Sequence, residues 1–228
     1  MFLKPRSDPV MNEQAQTIPP PPPQAASGID IGSVVNRAIQ IMSKPKETWV
    51  QIKSEGKSVA DIYLQYFVII LLLKPISQFV QGSIVGFTNP VTKEVVRAGF
   101  FSGLIWAVIS YGVALGITYV AALVIEKLAP NFGGSCSRSD AFALSAYSLT
   151  ASCIGAAFGI IPIALLGFLG TLVGLYSLYL FYSGIETMTG VPAAKKLSFF
   201  AVYIVAMALV FIALAIVTMV FGAGMFFI

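Results

Sequence analysis

The alternation of apolar and polar positions divides the chain into a polar start, two short amphipathic stretches and five long apolar runs. In IDIGSVVNRAIQIM the apolar positions Ile31, Val34, Val35, Ala38, Ile39 and Met42 recur at helical spacing, with Asn36, Arg37 and Gln40 elsewhere on the wheel. About a dozen residues cannot cross a bilayer. The segment therefore fits a helix lying in the headgroup plane, or one packed on the ends of a bundle. SKPKETWVQIKSEG predicts a second short helix, opened by Pro45. Its Trp49 and Ile52 are expected to face the membrane interface, where Trp49 would act as an anchor. Ser58 and Asp61 have the spacing of a capping box ahead of the first apolar run.

Spans are predicted at about 61–86, 100–126, 140–161, 163–184 and 197–222, each reaching the ~20 residues that cross ~30 Å of hydrocarbon. The third and fourth meet at Ile161-Pro162-Ile163, a hairpin too tight to hold a domain, where Pro162 ends one helix and seats the next. Ahead of all this, residues 1–28 read as a disordered, proline-rich tail. Pro19 to Pro23 favour an extended polyproline II rod, and no stretch there forms the apolar region of a signal peptide. Met11 is a second candidate start. The predicted organisation is thus a tail (1–28), interfacial helices on the cytoplasmic side (29–57) and a five-span domain (58–228). The fold class is an all-α polytopic membrane protein, a five-span helical bundle.

Composition supports that class. Of 228 residues, 57% are hydrophobic and 11% charged, against about 25% charged in a soluble domain. Lipid is therefore the first expected partner. The net charge of +4 carries no implication of nucleic acid, because basic residues in such chains mainly set orientation. Cys136 and Cys153 are too few for a disulfide framework, and the absence of histidine excludes a His-based metal site or catalytic base. No catalytic, cofactor-binding or metal-binding residue is nominated.

Charge also orients the bundle. Lys4, Arg6, Arg37, Lys44, Lys46, Lys53 and Lys57 precede the first span, Lys127 and Arg138 lie in the second connection, and Lys195 and Lys196 in the fourth. The other side has Lys93 and Arg97 alone, eleven against two. The N-terminus is then cytoplasmic and the C-terminus outside, which an odd number of spans requires.

Inside the spans, helices in lipid associate through small residues that permit close approach. Gly112 to Gly116, Gly155 to Gly159 and Gly170 to Gly174 supply such steps on three successive spans. They predict a compact core of spans two, three and four, or, in a sharper reading, the seam of a homo-oligomer. Every carboxylate near a span lies toward its cytoplasmic end, as in Asp61, Glu126, Asp140 and Glu186, so no acid stands at mid-depth. Lys74 does stand there, followed by Ser77, Gln78 and Gln81 at helical spacing, a polar stripe expected to face protein. Pro75 withdraws one helical hydrogen bond and frees the Leu71 carbonyl as an acceptor close to Lys74. The expectation is a sealed cation bonded to carbonyls and hydroxyls, with a functional role as the competing reading.

The strings SKPKETWVQIKSEG, LAPNFGG (Leu128 to Gly134), ALSAYSLT (Ala143 to Thr150) and GLYSLYLFYSGIETMTGVPAAKK (Gly174 to Lys196) resemble the motifs of the bacterial Yip-type proteins. They come in that family's order and spacing across roughly residues 43 to 220. The resemblance implies a five-span bundle in the bacterial cytoplasmic membrane with its N-terminus in the cytoplasm. The family's eukaryotic relatives are linked to Rab-type GTPases, vesicle traffic and membrane shaping, but their acidic aromatic-glycine-proline motif is not visible here. The family's threonine-proline in the third span reads Thr150-Ala151, so no proline kink is expected there.

Two functions compete. The first is a non-enzymatic scaffold or adaptor with a cytoplasmic face made by residues 29–57, 127–139 and 185–196, where a protein partner would bind. The second is a small-solute channel or transporter with Lys74, Ser77, Gln78 and Gln81 lining the path. An intramembrane enzyme is the weakest class. A serine nucleophile lacks a histidine base, paired mid-membrane aspartates are missing, and Ser77 lies beyond a proline kink from Lys74.

Overall fold

In the computed structural model residues 30–88, 94–161 and 163–225 are described. The proline-rich tail, Met11, Lys93 and Pro162 lie outside them. Two short helices, α1 (Ile31–Ser43) and α2 (Pro45–Glu55), precede five helices long and apolar enough to cross a membrane. These spans are Val59–Val85, Phe100–Phe132, Arg138–Phe158, Leu165–Thr189 and Ala193–Ile216. The architecture is an all-α polytopic membrane bundle. Its only sheet among the described residues is a two-stranded antiparallel pair, β1 (Phe87–Thr88) and β2 (Val95–Val96), between the first and second spans.

Local chemistry sets most boundaries. The Ser58 hydroxyl accepts from the Asp61 amide and the Asp61 carboxylate accepts from the Ser58 amide, the reciprocal cap that the sequence predicts. Ser137 caps the third span in the same way through the Asp140 amide, so that helix begins two residues earlier than expected. The fourth span runs to Thr189 rather than 184, and stops where Gly190 takes φ 66°. A left-handed residue costs glycine little and turns the chain away from the helix axis.

The first span is not uniform. Wider, π-type turns occupy Tyr63–Phe67 and Val80–Val85, and the helix is interrupted at Leu72, three residues before Pro75. The third span is interrupted at Leu149 although no proline is present. There the Thr150 hydroxyl donates to the Tyr147 carbonyl at 2.7 Å, which offers the backbone a competing partner.

The third span is the centre of the bundle. Every residue from Ala141 to Ser148 is buried, including Phe142, Leu144 and Tyr147, as expected of a helix enclosed on all sides. Its tightest neighbour is the fourth span. A Cβ on Gly155 would stand 2.3 Å from the Gly170 carbonyl oxygen, and one on Gly170 would stand 2.4 Å from that of Gly155. Gly159 abuts the Gln81 amide, and Gly174 is in ordinary contact range of the Ser152 backbone. Gly112 and Gly116 behave differently from expectation. Both are exposed and a Cβ on either would meet nothing within 4 Å, so Gly112 and Gly116 form no seam with the described residues of this chain.

Helices α1 and α2 pack against the bundle, and here the structure corrects the sequence reading. Trp49 and Ile52 are buried, Trp49 completely. The indole N–H donates to the Ser183 hydroxyl at 3.0 Å and to the Leu180 carbonyl at 3.2 Å. Its ring fills the space left by Gly184, where a Cβ would lie 2.5 Å from the Trp49 Cε2. Trp49 is thus a key set into the fourth span, and not an interfacial anchor. A lipid-facing indole would leave those partners and the glycine notch empty. In α1, Val34, Ala38 and Ile41 are buried against the bundle while Ile31, Val35 and Ile39 are exposed. The apolar arc is wide enough to serve two surroundings at once. Ion pairs tie this end of the bundle, with Arg37 on Glu55, Lys53 on Asp140 and Arg138 on Glu126.

Candidate functional site

Lys74 lies near the middle of the 27-residue first span, about 16 Å from its nearer end at 1.5 Å per residue. A cation at that depth carries a cost of ~2.5–3.5 kcal/mol on insertion scales and is rare unless paired or solvated. Among the described residues no hydrogen bond or ion pair holds its ammonium. The expected bond to the Leu71 carbonyl is not formed, and Lys74 is half-buried rather than sealed. Leu72 stays in the right-handed helical region at φ −56° and ψ −26°, and its carbonyl accepts the ordinary helical bond from the Ile76 amide at 3.2 Å.

Two cavities meet at Lys74. The first, about 520 Å³, lies between the first, third and fourth spans and is lined by Lys74, Ser77, Gln78, Gln81, Ser152 and Thr171 together with the glycines of the two facing helices. The second, about 320 Å³, lies on the other side of Lys74 and is walled by apolar side chains, among them Leu178, Phe181, Ile204, Met207 and Phe211.

The predicted polar stripe divides between two neighbours. The Ser77 hydroxyl donates to the Ala156 carbonyl, and the Gln81 amide donates to Ser77 at 3.2 Å, which ties both to the third span. Gln78 turns the other way and accepts from Ser110 of the second span at 3.2 Å. Glycines 155, 159, 170 and 174 line the polar cavity rather than only closing a seam. Gly112 and Gly116 are absent from the walls of both cavities.

The apolar cavity contains hydroxyls, and two of them spend their protons on the helix backbone. Thr118 donates to the Ala114 carbonyl, Ser145 to the Ala141 carbonyl, and Ser177 accepts from the Ser152 amide. Ser148 differs. It is 4% exposed, and its Oγ is buried with no partner. Leaving a buried hydroxyl unpaired costs about 1–3 kcal/mol; among the described residues the Lys74 ammonium and the O–H groups of Ser148, Ser177 and Tyr203 all line this cavity without donating a hydrogen bond. The sequence pattern flagged Lys74 and Ser148 as polar. It held no signal for the apolar half of the site, because Phe181, Ile204 and Met207 resemble any lipid-facing residue.

Residues 39–216 match the Yip1 domain family. The chain belongs to the Yip1 domain family. Within it, the chain is 24% identical over 160 residues to the inner membrane protein YohC of Escherichia coli K12, covering 70% of this chain and 82% of that one. The same figures hold for YohC of Escherichia coli O6:H1 strain CFT073. No solved structure matches. The Yip1 domain match begins inside α1, so it takes in Trp49 and its socket in the fourth span, Lys74 and both cavities.

Proposed function

We propose that this Yip1-family protein is a non-enzymatic membrane protein that gives an anionic solute a site and a path at Lys74. One observation carries this reading: an unpaired mid-span lysine forms part of the wall of two cavities, one polar and one apolar. A cation kept only for packing gains from being sealed and bonded. One that borders open volume on both sides is placed to exchange its counter-charge. The name of the relative YohC supports placement in the bacterial inner membrane, and the charge count supports a cytoplasmic N-terminus with the C-terminus outside. The test is efflux of small anions from proteoliposomes containing the purified chain. Flux above protein-free vesicles that falls on Lys74→Gln supports the reading; flux equal to protein-free vesicles refutes it.

A scaffold role is the second reading, supported by the exposed apolar stripe Ile31, Val35 and Ile39 on α1. Crosslinking from residues 29–57, 127–139 and 185–196 should then recover one protein partner reproducibly. Lipid and self-crosslinks alone would remove it.

A further inference from the structure

We propose that the solute bound at Lys74 is a single-chain amphiphilic acid, its carboxylate or phosphate head at Lys74 and Ser148 and its hydrocarbon tail in the apolar cavity. This rests on the reading of Lys74 as an anion site and adds the class of anion. A simple inorganic anion would be served by the polar cavity alone. The structure instead has Lys74 line a second, outward-open cavity together with Phe181 and Met207, which are buried, and Leu178, Ile204 and Phe211, which are exposed. Such walls give nothing to a hydrated ion and match a methylene chain. The donors divide in the same way. Thr118 and Ser145 donate to backbone carbonyls, while Ser148 is buried with an unpartnered Oγ and lines the same cavity as Lys74. An acid head has two or more acceptor oxygens, enough to take a charge-assisted bond from the Lys74 ammonium and a second bond from Ser148. Ser77, Gln78 and Gln81 line the polar cavity that Lys74 also borders. At ~30 Å³ per water-sized group, 320 Å³ holds about ten such groups, which takes the part of a hexadecyl chain next to the head and leaves its end outside the cavity.

The experiment is photolabelling of the full chain in zwitterionic nanodiscs with a diazirine-bearing hexadecanoate. The competitors are unlabelled hexadecanoate, hexadecyl phosphate, hexadecanol and inorganic phosphate. Label is expected in peptides containing Phe181 and Met207, displaced by one or both amphiphilic acids and not by the alcohol or by inorganic phosphate. The more effective of the two acids identifies a carboxylate or a phosphate head. Lys74→Gln should raise the competing concentration at least tenfold, Ser148→Ala several-fold, and Lys74→Arg little, which separates lost charge from lost folding. Met207→Trp, which fills the chamber, should abolish labelling but leave the small-anion efflux dependent on Lys74. If hexadecanol competes as well as the acids, or if label ignores both Lys74→Gln and Met207→Trp, the amphiphile inference is overturned. Small-anion efflux that still depends on Lys74 would then leave the broader anion reading standing, and loss of that dependence would remove both.

Discussion

Replacing Trp49 by alanine is expected to destabilise the protein by about 3–5 kcal/mol, the range for deleting a fully buried large aromatic side chain. The structure argues for the upper half of that range. The indole is fully buried, meets Tyr147 edge-to-face at 6.5 Å, and occupies a notch that exists because residue 184 has no side chain. Alanine leaves that notch empty, and the helix α2 has no other large side chain to refill it. Trp49→Phe isolates the polar part. It keeps most of the ring volume and removes the N–H bonded to Leu180 and Ser183, which should cost about 0.5–1.5 kcal/mol for one net hydrogen bond. The Leu180 carbonyl still accepts from Ser183 at 2.7 Å, so no acceptor is orphaned. The assay is equilibrium unfolding in mixed micelles, followed on both variants, and each 1.4 kcal/mol is a tenfold change in the unfolding constant. A Trp49→Ala loss below about 1 kcal/mol would mean that the indole sits at the lipid interface after all. Tryptophan emission gives a second check, since Trp106 is 63% exposed and Trp49 is not. With Trp106→Phe, brominated lipid should barely quench the remaining signal.

Other substitutions probe the packing and the basic end. Gly155→Val should cost about 1–3 kcal/mol by forcing the third and fourth spans apart, whereas Gly112→Ala should stay within ~0.5 kcal/mol because nothing stands near it; unfolding in micelles compares the two, and equal losses would contradict the seam assignment. Burial first, and then the Asp140 carboxylate, push the Cys136 thiol up to about 12, so its thiolate fraction at pH 8 is roughly a thousandfold below that of a free thiol. In a Cys153→Ala background, iodoacetamide alkylation should rise about tenfold per pH unit through pH 10, and a plateau near pH 9 would refute the burial argument. Arg37→Ala leaves Glu55 largely buried with one partner fewer and should cost about 3 kcal/mol. Thermolysin cleavage before Val34, Val35 or Ile39 within α1 should speed up in the same variant, and unchanged proteolysis would show that the ion pair does not hold that helix.

The spans, the Ser58 cap and the charge asymmetry were legible because each depends on local sequence: an apolar run of sufficient length, a hydroxyl three residues before a carboxylate, a count of lysines and arginines. Which apolar face points inward was not. Lipid and protein interior are equally apolar, so hydrophobicity cannot separate Ile41, which is buried, from Ile39, which is exposed. Trp49 follows the same logic, because its amphipathic ring suits a headgroup layer as well as a polar-rimmed socket. The glycine steps at 112–116 and 155–159 are identical patterns, and only a facing helix tells them apart. At Lys74 the sequence located the charge and the proline. It could not foresee that the lysine stays unpaired and lines two cavities.

The socket of Trp49 also imposes a timetable on synthesis. Its two acceptors lie 131 and 134 residues further along the chain, and at ~5–20 residues per second they emerge roughly 7–27 s after the indole. Through that interval α2 has a finished aromatic plug and nowhere to seat it. The first two spans must enter the bilayer while the amphipathic pair waits outside the unfinished bundle, and the fourth span is the event that closes the molecule. Assembly of this bundle is therefore gated from its C-terminal half, and a ribosome stalled before residue 180 would leave the N-terminal helices undocked.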